Sequence, residues 1–179
     1  MNFSTRPDEV GSEAIAKIAA AFTAEPHLLP ITADTIAKSL CEGLAVAAME
    51  TGGPIGFTRL IPLVGNMFEL GSTWVREDRR GHFVNHRMYE WFLPLHTDKN
   101  ILATTTNPKS LSVGKDMGFI LVPRKMLPVD IWRATCVCPA NKTGSSDNAA
   151  CALAWGEPQR RSSGCCWVRV TPETAARMK

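Results

Sequence analysis

Residues 68–93, FELGSTWVREDRRGHFVNHRMYEWFL, decide how the rest of the chain is read. Phe68 to Val75 is extended and apolar enough for a buried strand, and Arg76 to Gly81 is a charged turn. From His82 the apolar residues recur with the period of a helix. Val84, Met88, Trp91 and Leu95 predict one buried stripe, and Pro94, with no backbone N–H to donate, predicts the stop. The first turn of a helix leaves several N–H groups without partners, and the helix dipole adds to their attraction for an anion. Arg79, Arg80 and His82 beside that turn make it a candidate phosphate site; the plainer reading of the same charges is a solvated basic loop.

Upstream, Leu44 to Glu50 and Ile55 to Leu63 are two strand-forming runs split by Thr51-Gly52-Gly53-Pro54, which predicts a hairpin. A second turn, Val64 to Met67, feeds the strand at Phe68. Nearer the start, Asn2 to Thr5 reads as a short strand. Pro7 and Asp8 then open a helix with Val10, Ala14, Ile15, Ile18 and Phe22 on its apolar side, closed by Pro26. Thr32 is the expected cap of a second helix, Ala33 to Cys41, with Ile36 and Leu40 facing inward and Gly43 ending it.

Downstream, Asn100 to Thr105 reads as a strand. Asn107 caps the next helix and Pro108 fills its first position; Leu111, Val113 and Met117 are expected to pack it, and Gly118 to end it. Phe119 to Val122 is again a strand, Ala140 to Ala149 reads as a mobile polar loop, and Cys165 to Val170 as a last strand beside Phe119 to Val122. The succession predicts an α/β (α+β) fold, a mixed and mostly antiparallel sheet flanked by helices.

A length of 179 residues with 45% apolar content predicts one domain over residues 1–179, with a cysteine-containing C-terminal extension from residue 129 that supplies the last strand. The net charge of +3 is small and spread out, and no basic stripe is interleaved with aromatics, so no nucleic-acid partner is expected. The amino terminus lacks the apolar core of a signal peptide, and the most apolar run, Leu44 to Met49, is too short to span a bilayer. A cytoplasmic protein without a membrane partner is expected. Its six cysteines then read as thiols or metal ligands rather than a disulfide framework.

Four segments occur in order: IGFTRLIPL (Ile55 to Leu63), FELGSTWV, REDRRGHFVN, and TTTNPKSLSVGKDMGF (Thr104 to Phe119). Together they resemble the GNAT-type N-acetyltransferase superfamily. In that family a strand ending in Val leads to an Arg-Gly-x-Gly-x-Gly/Ala turn whose amides bind the pyrophosphate of acetyl-CoA, and a later strand leads to an Asn, a helix and a closing Gly-Phe. Val75, Arg80, Gly81, Asn107, Gly118 and Phe119 fall on matching positions. The resemblance implies a GNAT-like sheet with splayed central strands and acetyl-CoA as co-substrate. Backbone contacts would come from Thr73, Trp74 and Val75, pyrophosphate contacts from Arg80, Gly81, His82, Phe83, Val84 and Asn85, and a further cofactor contact from Asn107. It also implies a variable loop at residues 24–31 bordering the acceptor, which is an amine-bearing small molecule or protein. Folds of this type often dimerise, which leaves a homodimer open.

The chain departs from the pattern at three places. Phe83 and Asn85 stand where the family has its second Gly and its third Gly or Ala, and glycine there lets the backbone approach a phosphate closely. Gly114 stands where the family often carries a Tyr that protonates the departing thiolate. Trp74 also reads as plain strand packing, and Asn107 as a helix cap and nothing more.

Acetyl transfer to an amine needs a base and an oxyanion donor. Glu69 on the central strand is the chosen base, with Glu50 as the other choice; each also reads as an ordinary strand carboxylate. His82, His86 and His96 do not make a metal site by spacing. Cys41 reads as a small core residue. Cys136, Cys138, Cys151, Cys165 and Cys166 supply enough thiolates for a structural zinc, but the Cys-x-Cys spacing is not that of a common knuckle, so no metal is assigned. The residues thus support an acyl-CoA-dependent N-acyltransferase, acetylating a primary amine by direct attack on the thioester. The alternative is a non-catalytic binding or interaction protein of the same fold with a cysteine-rich tail.

Overall fold

The computed structural model describes residues 1–25, 28–105, 107–122, 126–135 and 167–178. The loop expected at 140–149 and the cysteines at 136, 138, 151, 165 and 166 lie outside the described residues. Described strands neighbour one another in the order β1-β2-β3-β4-β5-β7-β6, taking β1 as Asn2–Ser4, β2 as Ala45–Glu50, β3 as Gly53–Pro62, β4 as Met67–Val75, β5 as Asn100–Thr105, β6 as Ile120–Leu121 and β7 as Trp167–Val170. The β1–β2, β2–β3, β5–β7 and β6–β7 pairs are antiparallel and β4–β5 is parallel, as the predicted mixed, mostly antiparallel sheet requires. The chain divides into two compact units, residues 1–61 with 70–96 and residues 62–69 with 97–179, so β4 starts in the second and finishes in the first.

In the first unit the helix expected from Pro7 is broken into α1 (Pro7–Val10) and α2 (Ser12–Ala24). Gly11 sits between them at φ 83, a conformation that costs glycine little, and its N–H closes on the Pro7 carbonyl. α3 (Ala33–Cys41) begins as predicted, the Thr32 side chain accepting from Thr35 N–H. Cys41, expected in the core, is exposed at the last position of α3, one helical step from the buried Leu40 and so off the inward face. Ile15, Ile18, Phe22, Ile36 and Leu40 bury their side chains with Ala45, Ala47, Phe57 and Trp74, and Phe22 meets Phe57 edge-on at 5.9 Å. Small residues on β2 leave room for the helices to lie close to the sheet.

α4 (Val84–Phe92) starts two positions after His82 and runs into a 3-10 turn, Leu93–His96. Its buried side chains are Val84, Met88, Tyr89 and Phe92, which corrects the predicted stripe through Trp91 and Leu95. Pro94 has no N–H for the helical ladder, so the chain tightens there and turns His96 inward against Phe92, 4.6 Å between ring centroids. Leu95 is left 56% exposed. Trp91, 39% exposed, stacks on Phe3 of β1 at 5.8 Å instead of entering the core.

In the second unit Met67–Glu69 pair with Asn100–Leu102, and this parallel ladder ends at Glu69 and Leu102. β7 lies beside β6, as expected, and also pairs with β5, placing it between the two. The strand expected over Phe119 to Val122 shortens to Ile120–Leu121. α5 (Pro108–Asp116) is capped by Asn107 as predicted. Its buried position is Gly114, however, while Leu111, Val113 and Met117 are half-buried. α6 (Val129–Thr135) and α7 (Pro172–Arg177) follow. Leu102, Val122, Leu127, Ile131, Val168 and Val170 form this unit's core. The cap of α7, Thr171, accepts from Thr174 N–H, and the Thr174 hydroxyl accepts from Ile101 N–H at 2.7 Å, fixing the helix to β5. No helix among the described residues is long and apolar enough to cross a membrane.

Candidate functional site

The last residues of β4 are held from both sides. Thr58 and Thr73 share a hydroxyl hydrogen bond of 2.8 Å, and Thr73 is 3.1 Å from the hydroxyl of Tyr89 on α4. Ser72 has φ 48, rare for a residue with a side chain, and its Oγ accepts from Arg59 Nε at 3.1 Å. A local kink is therefore built into the strand just before Thr73, Trp74 and Val75. The Trp74 side chain is in the helix-facing core, so only its backbone is left for a ligand. Sequence reading overlooked Ser72, Thr58 and Tyr89. The Gly71-Ser72 pair inside a strand pattern was the signal for the kink, whereas the hydroxyl chain joins residues whose proximity only the fold creates.

After Val75, Arg76 N–H donates to the Ile55 carbonyl at 2.9 Å, and the chain makes a 3-10 turn, Glu77–Arg79. Gly81 follows at φ 83 and Phe83 at φ 59, ψ 17. Phe83 is the cap of α4 and gives no side-chain cap, so its carbonyl takes the first helical bond from Arg87 while the first helical amides have no acceptor within the helix. The Phe83 ring is 73% exposed and so is not packed into the bend. His82 is exposed, its N–H 3.3 Å from the Arg79 carbonyl. Asn85 Oδ1 is buried without a hydrogen-bond partner among the described residues, an acceptor one residue inside the helix.

The arginines of this turn are already engaged. Arg76 donates to Asp78 at 2.6 Å, and Arg79 donates to Glu50 at 3.0 Å and to Asp78 at 3.1 Å. Arg80 donates to the Val75 carbonyl at 3.1 Å and to Glu25. The Arg76 guanidinium, hydrogen-bonded to Asp78, holds that carboxyl below its ordinary range, and the same bond raises the arginine. Such exposed or half-exposed pairs are screened by water and weak enough for an incoming polyanion to displace them. Glu50, the alternative base, is therefore the partner of Arg79. Sequence reading counted the arginines without the carboxylates that Glu25 and Glu50 bring from other elements.

The remaining candidates lie in the second unit. Glu69 accepts from the Thr104 hydroxyl at 2.6 Å. Asn107 Oδ1 accepts from Lys109 N–H at 3.0 Å, so the residue caps its helix as the plainer reading held. Gly114 faces Arg169 of β7, and a β-carbon built on it would fall inside the guanidinium. That guanidinium donates to the carbonyl and hydroxyl of Ser110 and lies 5.4 Å from the centre of the Phe119 ring. No group of three or more His, Cys, Asp or Glu residues suited to a metal occurs among the described residues.

The strand, kink, turn and helix described above belong to the fold of the GNAT-type N-acetyltransferases. Rv2747 from Mycobacterium tuberculosis, solved in complex with CoA, superposes with a TM-score of 0.61 at 13% identity, over 96% of this chain and 98% of that one. A GNAT-family acetyltransferase from Staphylococcus aureus Mu50 gives 0.55 at 15% identity, over 72% and 89%. A phosphinothricin acetyltransferase from Sinorhizobium meliloti, solved with acetyl-CoA, gives 0.52 at 15% identity, over 63% and 72%. At such identities the likeness is one of fold. No protein-family model and no curated protein matches the sequence.

Proposed function

We propose that the chain is an acyl-CoA-dependent N-acyltransferase that transfers an acetyl group to a primary amine by direct attack of the amine nitrogen on the thioester carbonyl. The observation that carries this reading is the passage from β4 to α4. A strand ends at Val75, the backbone takes left-handed conformations at Gly81 and Phe83, and a helix opens at Val84 with unpaired amides. Such amides and the helix dipole suit a pyrophosphate. Gly81, Phe83, Val84 and Asn85 would supply them, with His82, whose own N–H is turned to the Arg79 carbonyl, beside them; Arg80 would add charge, and Thr73, Trp74 and Val75 would offer backbone groups to the pantetheine arm. An oxyanion donor of this kind, preorganised on a strand, stabilises charge as the carbon–sulfur bond breaks and CoA leaves as thiolate.

Glu69 and Asn107 keep the parts that the family resemblance implies, base and cofactor contact respectively. The Thr104 hydroxyl donates to Glu69 at 2.6 Å and so fixes the orientation of that carboxylate. With glycine at 114, the departing thiolate would take its proton from water. Calorimetric titration with acetyl-CoA, followed by release of free thiol across an amine panel, tests the proposal. Saturable binding with amine-dependent thiol release is the expected result.

A second reading is favoured by one specific observation, the engagement of Arg79 and Arg80 by Glu50 and Glu25. With the turn already neutralised, the protein would be a non-catalytic member of the fold that contacts a partner. Absence of acetyl-CoA binding at high micromolar concentration would select it.

A further inference from the structure

α5 carries Pro108, Leu111, Ser112 and Lys115 at the spacing of a single helical face. Phe119, Leu121 of β6 and Arg169 of β7 close that face into a pocket of about 420 Å³, all of it within the second unit. The volume falls in the range of small-molecule sites, about 300–1,000 Å³. Its walls are mainly apolar, from Pro108, Leu111, Phe119 and Leu121.

Among the described residues that line it, Lys115 and Arg169 are basic and none is acidic. Arg169 is only 2% exposed and is held in place by its two bonds to Ser110 and by the Phe119 ring. The Lys115 side chain is exposed and makes no hydrogen bond or ion pair with the described residues. A cation fixed against low-dielectric walls and a second, mobile cation at the rim favour a negative charge more than either would in open water. The bonds to Ser110 occupy donors of Arg169, so the rim lysine is the uncommitted charge. One uncommitted cation above an apolar chamber matches a monoanion with a hydrocarbon body better than a dianionic phosphate, whose desolvation would be compensated less.

We propose that this pocket binds a small carboxylate bearing a short hydrocarbon chain, its head toward Lys115 and Arg169 and its chain against Leu111, Phe119 and Leu121. The inference stands independently of the transferase reading.

The test is titration of the full chain, isotopically labelled, with sodium octanoate, 1-octanol and octylamine, read by calorimetry and by NMR shifts at Leu111 and Leu121. Octanoate should bind saturably and about tenfold more tightly than octanol, with octylamine weaker still. Lys115→Glu, a change at an exposed position, should weaken octanoate about tenfold and leave octanol unchanged. Leu111→Trp, which fills the chamber, should abolish both, with a thermal melt confirming that the variant folds. Any of four results overturns the proposal: no saturable octanoate binding in the millimolar range, equal affinity for octanoate and octanol, normal binding by folded Leu111→Trp, or displacement of octanoate by CoA.

Discussion

Arg80, in the turn after β4, donates to the carboxylate of Glu25, the residue that follows α2. A residue read from its surroundings in sequence as an anion receptor thus comes with an internal anion. In Glu25→Gln the arginine keeps the Val75 carbonyl and loses its counter-charge. Acetyl-CoA affinity should rise about fivefold at low salt, ~1 kcal/mol, with the gain shrinking as salt is added. Arg80→Gln should move affinity the other way. Calorimetry on the three proteins checks this, and identical affinities would remove Arg80 from the binding turn.

Phe83 holds a left-handed conformation that costs a residue with a β-carbon about 1–2 kcal/mol relative to glycine. Phe83→Gly relieves that cost but gains freedom in the unfolded chain, which offsets about half of it. A net stabilisation of up to ~1 kcal/mol is expected in urea unfolding, together with tighter acetyl-CoA binding because the backbone becomes more accessible. Phe83→Ala keeps the unfavourable conformation and, since the ring is exposed, should unfold at nearly the wild-type midpoint.

Asp78 titrates below the ordinary carboxylate value of about 3.9 because Arg76 hydrogen-bonds its ionised form. A depressed folded-state value means that the stabilisation is fully present above the unfolded value and is lost as pH falls through the folded one. Asp78→Asn should therefore be less stable than wild type at pH 6. The gap should close as pH falls through the depressed folded-state value, below the ordinary carboxylate range. Urea midpoints measured across that range decide it; a gap independent of pH would show that the Arg76 pairing contributes nothing.

Gly114→Ala should destabilise by about 1–3 kcal/mol, because the new methyl group meets a buried guanidinium that is bonded to Ser110. In an Arg169→Met background the same change should cost far less. A double-mutant cycle by chemical denaturation measures the difference, and additivity would mean that the two side chains do not share the space.

Fold class was legible because local signals agreed with one another. Thr32, Asn107 and Pro108 mark helix starts where the structure has them, and Asn100 to Thr105 is a strand with those bounds. Errors arose where two elements settle a question between them. Trp91 fits a helical stripe but finds Phe3, and Leu95 follows it in the pattern until Pro94 tightens the chain. The candidate turn was found from Arg80, Gly81 and the start of a helix, all local. Its electrostatics were missed because Glu25 and Glu50 reach it from distant parts of the sequence. Phe83 reads as an obstacle in sequence, yet its backbone takes the left-handed shape that glycine usually supplies.

Arg169 lying across Gly114 also sets an order on how this protein can change. A phenol at position 114 has no room until the arginine shrinks, and a shrunken arginine gives up its hold on Ser110 before anything replaces it. No single substitution makes room for a ring there, so selection for one would have to cross a less stable intermediate. The glycine is entrenched, and a bulkier side chain is more readily accepted on another element.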